Sequence, residues 1–147
     1  MKPLKNPLRL AEAEIVARVI RNFVVKHRQP RYLALLAKPN AWGGYGFGGL
    51  AHFVDNLDPR FCKQIPSSEQ YTDAILSKIK ALTPATECYI MHESRELDGQ
   101  WMDLKEALNK ILGSNTGALI IVDNGTIIYH ESETMKHRYI GVRREFE

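Results

Sequence analysis

The sequence predicts a single α/β (or α+β) domain spanning residues 1–147: a mixed sheet of about four or five strands, ending in a C-terminal β-hairpin and covered by three main helices. Three observations carry that expectation. Helical and strand periodicities alternate along the chain, Asn124-Gly125 sits between two β-branched runs, and no break in composition marks a second unit.

The elements follow in order. Residues 10–28 place Ile15, Val16, Val19, Ile20, Phe23 and Val24 at helical spacing, which predicts an amphipathic helix. At roughly 100° per residue, Arg18, Arg21 and Arg28 fall on the face opposite that stripe. Pro30 is expected to close the helix, and the apolar run Arg31–Ala37 to form a short buried strand. Residues 39–49 hold five of the ten glycines and must be a loop, because glycine at that density costs too much backbone entropy elsewhere. Leu50–Asn56 would make two helical turns before Asp58-Pro59.

Behind Pro66, Ser67 and Gln70 match a capping box for a helix burying Tyr71, Ile75, Ile79 and Leu82. Cys88–Met91 reads as a strand, and Glu96-Leu97-Asp98-Gly99 as a turn. Asp103 then caps a helix with Glu106 at the reciprocal position, Leu104, Leu108 and Ile111 facing inward, and Gly113 ending it. Ala118–Val122 is a strand, and Asn124-Gly125 a two-residue hairpin turn into Thr126–Tyr129. Residues 138–142 complete the set as a short edge strand. Where a helix intervenes, strand pairing is expected to be parallel.

Charge is distributed unevenly. The first forty residues hold nine Lys or Arg against two acids, whereas the remaining 107 hold 11 against 15. The net charge of +3 therefore conceals a basic N-terminal region and an acidic remainder. The longest apolar runs, Tyr32–Ala37 and Ala118–Val122, fall far short of the ~20 residues that span a bilayer. Residues 15–25 are apolar enough to suggest a signal sequence, but Arg18 and Arg21 interrupt them and no cleavage site follows. No membrane association is expected. Two cysteines, Cys62 and Cys88, make no disulfide framework, so free thiols and a cytoplasmic location are expected.

Each chemical motif has a plainer explanation beside it. Gly44-x-Gly46-x-x-Gly49 matches the dinucleotide fingerprint in letters only. Six residues separate it from the expected strand, and only two helical turns follow. No cofactor is expected, and Trp42, Tyr45 and Phe47 are read as loop aromatics that touch the core or a partner. The tripeptide His-Glu-Ser occurs at 92–94 and again at 130–132, each time after an apolar strand. Parallel pairing followed by a hairpin would put the two copies at opposite ends of the sheet, so neither metal binding nor acid–base work is expected from them. No catalytic nucleophile stands out either.

What remains is binding. The favoured expectation is a small protein-binding module, of which an inhibitor or immunity protein neutralising a toxin or nuclease is one form. Either the basic N-terminal patch would meet an acidic partner, or the acidic 87–103 region would meet a basic one; for an immunity role the acidic turn (Glu93, Glu96, Asp98 and Asp103) is the better fit. The alternative is nucleic acid, with Arg18, Arg21, Arg28 and Arg31 gripping phosphates, and a third reading is an enzyme whose site uses residues scattered in sequence. The sequence sets neither the partner nor the oligomeric state.

Overall fold

The structure is a computed structural model that describes residues 10–37, 57–92, 94, 96–114, 116–132 and 137–143. Its centre is a six-stranded sheet: β1 (Cys62–Gln64), β2 (Glu87–His92), β3 (Trp101–Asp103), β4 (Ala118–Val122), β5 (Ile127–Glu131) and β6 (Arg138–Val142). The strands lie in the order β1-β6-β5-β4-β2-β3, and every neighbouring pair is antiparallel. Four helices pack on it: α1 (Leu10–Phe23), α2 (Gln29–Leu36), α3 (Thr72–Lys80) and α4 (Leu104–Ile111).

Strand alternation divides the core into two layers. Tyr89, Met91, Leu119, Ile121 and Ile128 point to one face, where Val16, Val19, Ile20 and Phe23 of α1 and Tyr32 of α2 cover them. Cys88, Ile90, Ile120, Ile127 and Tyr129 point to the other, under Ile75 and Ile79 of α3 and Leu104, Leu108 and Ile111 of α4. β4 and β5 are buried along their whole length because both faces are covered. Such strands show continuous apolar runs, the pattern usually met in parallel sheets.

Several expectations require correction. Among the described residues pairing is antiparallel throughout, and there are six strands and four helices instead of four or five and three. β1 and β3, three residues each, carry too little pattern to stand out. The 10–28 helix stops at Phe23, where Val24 bridges to Leu57 and Val25 turns extended. Gln29 donates its side-chain amide to the Val24 carbonyl at 2.9 Å, serving one of the acceptors a helix end leaves open. Pro30 does not close that helix. It lies in the first turn of α2, where a missing N–H costs nothing. The expected strand at 31–37 is that helix, with Tyr32, Leu33 and Leu36 inward and good helix formers over residues 33–36.

The Ser67–Gln70 capping box does not form. Ser67–Glu69 is a separate 3-10 turn, and Gln70 donates instead to the Ile65 carbonyl at 2.8 Å. The hairpin at Asn124-Gly125 exists, but Val122 pairs with Ile127, so four residues span the turn. Asp123, Asn124 and Gly125 all have positive φ there. At Gly125 a Cβ would lie 3.0 Å from the Ile15 carbonyl oxygen, so glycine lets α1 approach the turn. The Asp103 cap forms as expected, accepting the Glu106 N–H at 3.1 Å. The 138–142 strand also forms, inside the sheet with β1 beyond it. The expected turns at Leu50–Asn56 lie outside the described residues.

Candidate functional site

The basic surface is assembled by α1, the Lys26–Arg28 turn and α2. Arg21, Lys26, Arg28 and Arg31 are exposed on it. Arg18 is half-buried and donates to the Asn124 carbonyl at 2.8 Å, which ties α1 to the β4–β5 turn. Among the described residues no ion pair involves Arg21, Lys26 or Arg31.

The reason is compositional, since residues 10–37 contain two acids only. Glu12 is buried, 3.4 Å from the Trp101 indole nitrogen, which leaves Glu14 as the exposed one. In α4, by contrast, Glu106 and Lys110 neutralise each other at 3.0 Å. Arg143 adds charge beside α1, donating to the carbonyls of Arg21 and Asn22 with its guanidinium over the Phe61 ring. A depression of about 530 Å³ lies along α1, lined by Ala13, Glu14, Ala17, Arg18, Arg21 and Asn22.

The acidic turn is not brought together as one patch. Asp98 is buried and accepts the backbone N–H of His92 at 2.8 Å. Asp103 caps α4 and pairs in register with Glu87, at the far end of the β2–β3 hairpin from the turn. Glu96 is exposed, while Glu93 lies outside the described residues, as do Trp42, Tyr45 and Phe47.

The two His-Glu-Ser copies are placed differently from the expectation, and this is a correction. His92 pairs with Ala118, Ala118 with Glu131, and Glu131 with Arg138, so the four form one row across four strands at one end of the sheet. All four share the α3/α4 face, whereas His130 is buried on the other.

A continuous polar network runs through this row. His92 Nδ1 accepts the Ser94 N–H at 2.8 Å, which directs Nε2 at Thr116 Oγ1, 3.1 Å away. Thr116 contacts Ser114 at 2.8 Å, and Ser114 donates to Glu131 at 3.4 Å. Glu131 is fully buried. It accepts from the Tyr129 hydroxyl at 2.8 Å and the Gly113 N–H at 3.2 Å, and lies 3.4 Å from Arg138 Nε. Arg138 in turn donates to Gln70 Oε1 at 2.7 Å.

Burial and the Glu131 charge push the Tyr129 hydroxyl well above its ordinary pKa. Glu131 accepts bonds from groups of its own fold, and of the network's hydroxyls only that of Ser114 belongs to an exposed residue. This arrangement holds the end of the sheet together. Sequence reasoning missed Tyr129, Gln70 and Arg138, although the two-residue spacing of Tyr129 and Glu131 already places them on one strand face.

Both cysteines are free and buried, and burial raises each thiol pKa to about 12. Among the described residues no group of His, Cys, Asp or Glu is placed to hold a metal ion, and no helix is long and apolar enough to cross a membrane. No protein-family model, curated protein or solved structure matches the chain.

Proposed function

We propose that the chain is a protein-binding module that docks an acidic protein surface on the basic face of α1, the 26–28 turn and α2. The observation that carries this reading is the set of exposed, unpaired cations Arg21, Lys26 and Arg31 on consecutive elements. Unneutralised charge of one sign steers association and orients the partner. The depression along α1 favours a protein over a polyphosphate. Its floor of Ala13 and Ala17 accepts a partner's side chains, and Glu14 stands among the arginines where a phosphate would be repelled. An inhibitor or immunity protein remains a concrete form of such a module. The acidic turn offers less for that role, because Asp98 is inside and Asp103 holds a helix end.

Nucleic acid is the second reading. It is favoured by one observation: the exposed large apolar side chains among the described residues are Tyr71 and Trp101, neither of them on α1 or α2. Protein interfaces usually bury an aromatic centre, whereas phosphate contacts need only cations.

The test is affinity capture from native lysate, with and without nuclease, by the wild-type chain and by R21E/K26E/R31E. The expected result is a protein retained by wild type after nuclease and lost by the variant. Retention by both would refute the assignment of the face, and nucleic acid alone would establish the second reading.

A further inference from the structure

A second surface lies on the opposite layer. α3 and α4 cover β2, β4 and β5, but β6 and β1 extend past them, so Ile140 and Val142 are only partly buried. The result is a groove of about 550 Å³ between the β1–β6 edge and the end of α3. Ile65, Leu82, Ile140 and Val142 give it an apolar floor. Its size falls among small-molecule sites, which are mostly apolar with a few placed polar groups.

Among the described residues, the charged groups around the floor are Arg60, Lys63 and Lys78, and no carboxylate lines it. Two of the three are already neutralised. Arg60 holds Asp58 at 2.7 Å, and Lys78 holds Glu69 at 2.6 Å. Lys63 is different, since among the described residues its ammonium meets only the Pro59 carbonyl, at 3.2 Å. Lys63 pairs with Ile140 in the sheet and therefore stands on the same face, with its hydrocarbon stem beside the apolar floor.

We propose that this groove binds an amphipathic carboxylate, an aliphatic chain lying over Ile140, Val142 and Leu82 with its head group on Lys63. A neutral apolar ligand would leave Lys63 without a counter-ion. A polyanion would meet aliphatic side chains where it needs donors. A single carboxylate on a hydrocarbon body satisfies both halves of the site. The site does not depend on the α1–α2 face, and its test does not involve that face.

The probes are decanoate and decanol, titrated into protein carrying labelled Ile, Leu and Val methyl groups. Saturable shifts at Ile140, Val142 and Leu82 are expected with decanoate, at an affinity about tenfold above that of decanol. K63Q should bring decanoate down to the affinity of decanol, and the Val142→Asp substitution should weaken both. Shifts that do not saturate, or decanol binding as tightly as decanoate, would overturn the proposal. A lysine on an edge strand can also serve only to block strand association. In that case K63Q would self-associate while its decanoate affinity stayed at the wild-type value, which equally overturns the proposal.

Discussion

His92 and Glu131 stand two strands apart in one row of the sheet, joined through Ala118, and the polar network around them links β2, β5 and β6 by way of Ser114 and Thr116, which lead into β4. Glu131 is its centre, with Tyr129, Gly113, Ser114 and Arg138 all converging on one buried carboxylate. A buried ion pair contributes little beyond an apolar pair of similar shape, but breaking one side of it is costly.

Glu131→Ala should therefore destabilise the fold by about 3–5 kcal/mol, since it leaves Arg138 charged and buried without its carboxylate. Glu131→Gln should cost less, because an amide oxygen still accepts from Tyr129. Urea denaturation measures both. A loss below ~1 kcal/mol in the alanine variant would show that the network does not hold this end of the sheet.

Gly141 sits on β6 directly under α1. A Cβ there would come within 2.8 Å of Ile128 Cγ1 and 3.0 Å of both Cys62 Sγ and Phe23 Cδ1. Gly141→Ala should cost about 1–3 kcal/mol through overpacking. Gly113 has φ +84° and open space around it, so Gly113→Ala reports backbone strain alone and should cost about 1 kcal/mol. Equal effects in thermal or chemical denaturation would contradict the close packing of α1 on β6.

The thiols predict a pH dependence with a definite sign. Cys62 and Cys88 are held to about 12 in the native state by burial, against an ordinary value of 9.0. Above pH ~9 the unfolded chain releases protons that the folded chain keeps, so stability should fall between about pH 9 and 12. The pair contributes no such slope below the unfolded value. In C62A/C88A the fall over pH 9–11 should be shallower than in the wild type, and identical slopes would count against the burial of the thiols. Native protein at pH 8 should also react slowly with a disulfide reagent, and denatured protein quickly.

Much of this architecture was legible locally. The α1 stripe, the Asp103 cap, the Ala118–Val122 strand and the Asn124-Gly125 hairpin each rest on residues within one or two turns of each other. The sense of the sheet was not legible, and one short element explains why. β3 lies antiparallel to β2 on its outer edge, so the crossover through α4 begins at β3 and not at β2. β4 is thus parallel to β3 and antiparallel to β2 between them. Missing three residues, Trp101–Asp103, reverses the inferred direction of β4 and sends the two His-Glu-Ser copies to opposite ends. Residues 31–37 misled for another reason, since a contiguous apolar run of six or seven residues fits a buried strand as well as a short helix. Of the candidate site residues, the arginines were visible as charge. Which of them remain unpaired, and which acids turn inward, depends on tertiary contacts such as those of Arg18 with Asn124 and Asp98 with His92.

The most direct measurement for the docking surface is a residue-resolved NMR titration of the labelled protein with poly-glutamate, in parallel with an oligothymidylate. Poly-glutamate is expected to shift the amide signals of residues 18–31 in a saturable way that R21E/K26E/R31E abolishes. Absence of shifts there with poly-glutamate, or shifts confined to residues 96–103, would contradict it.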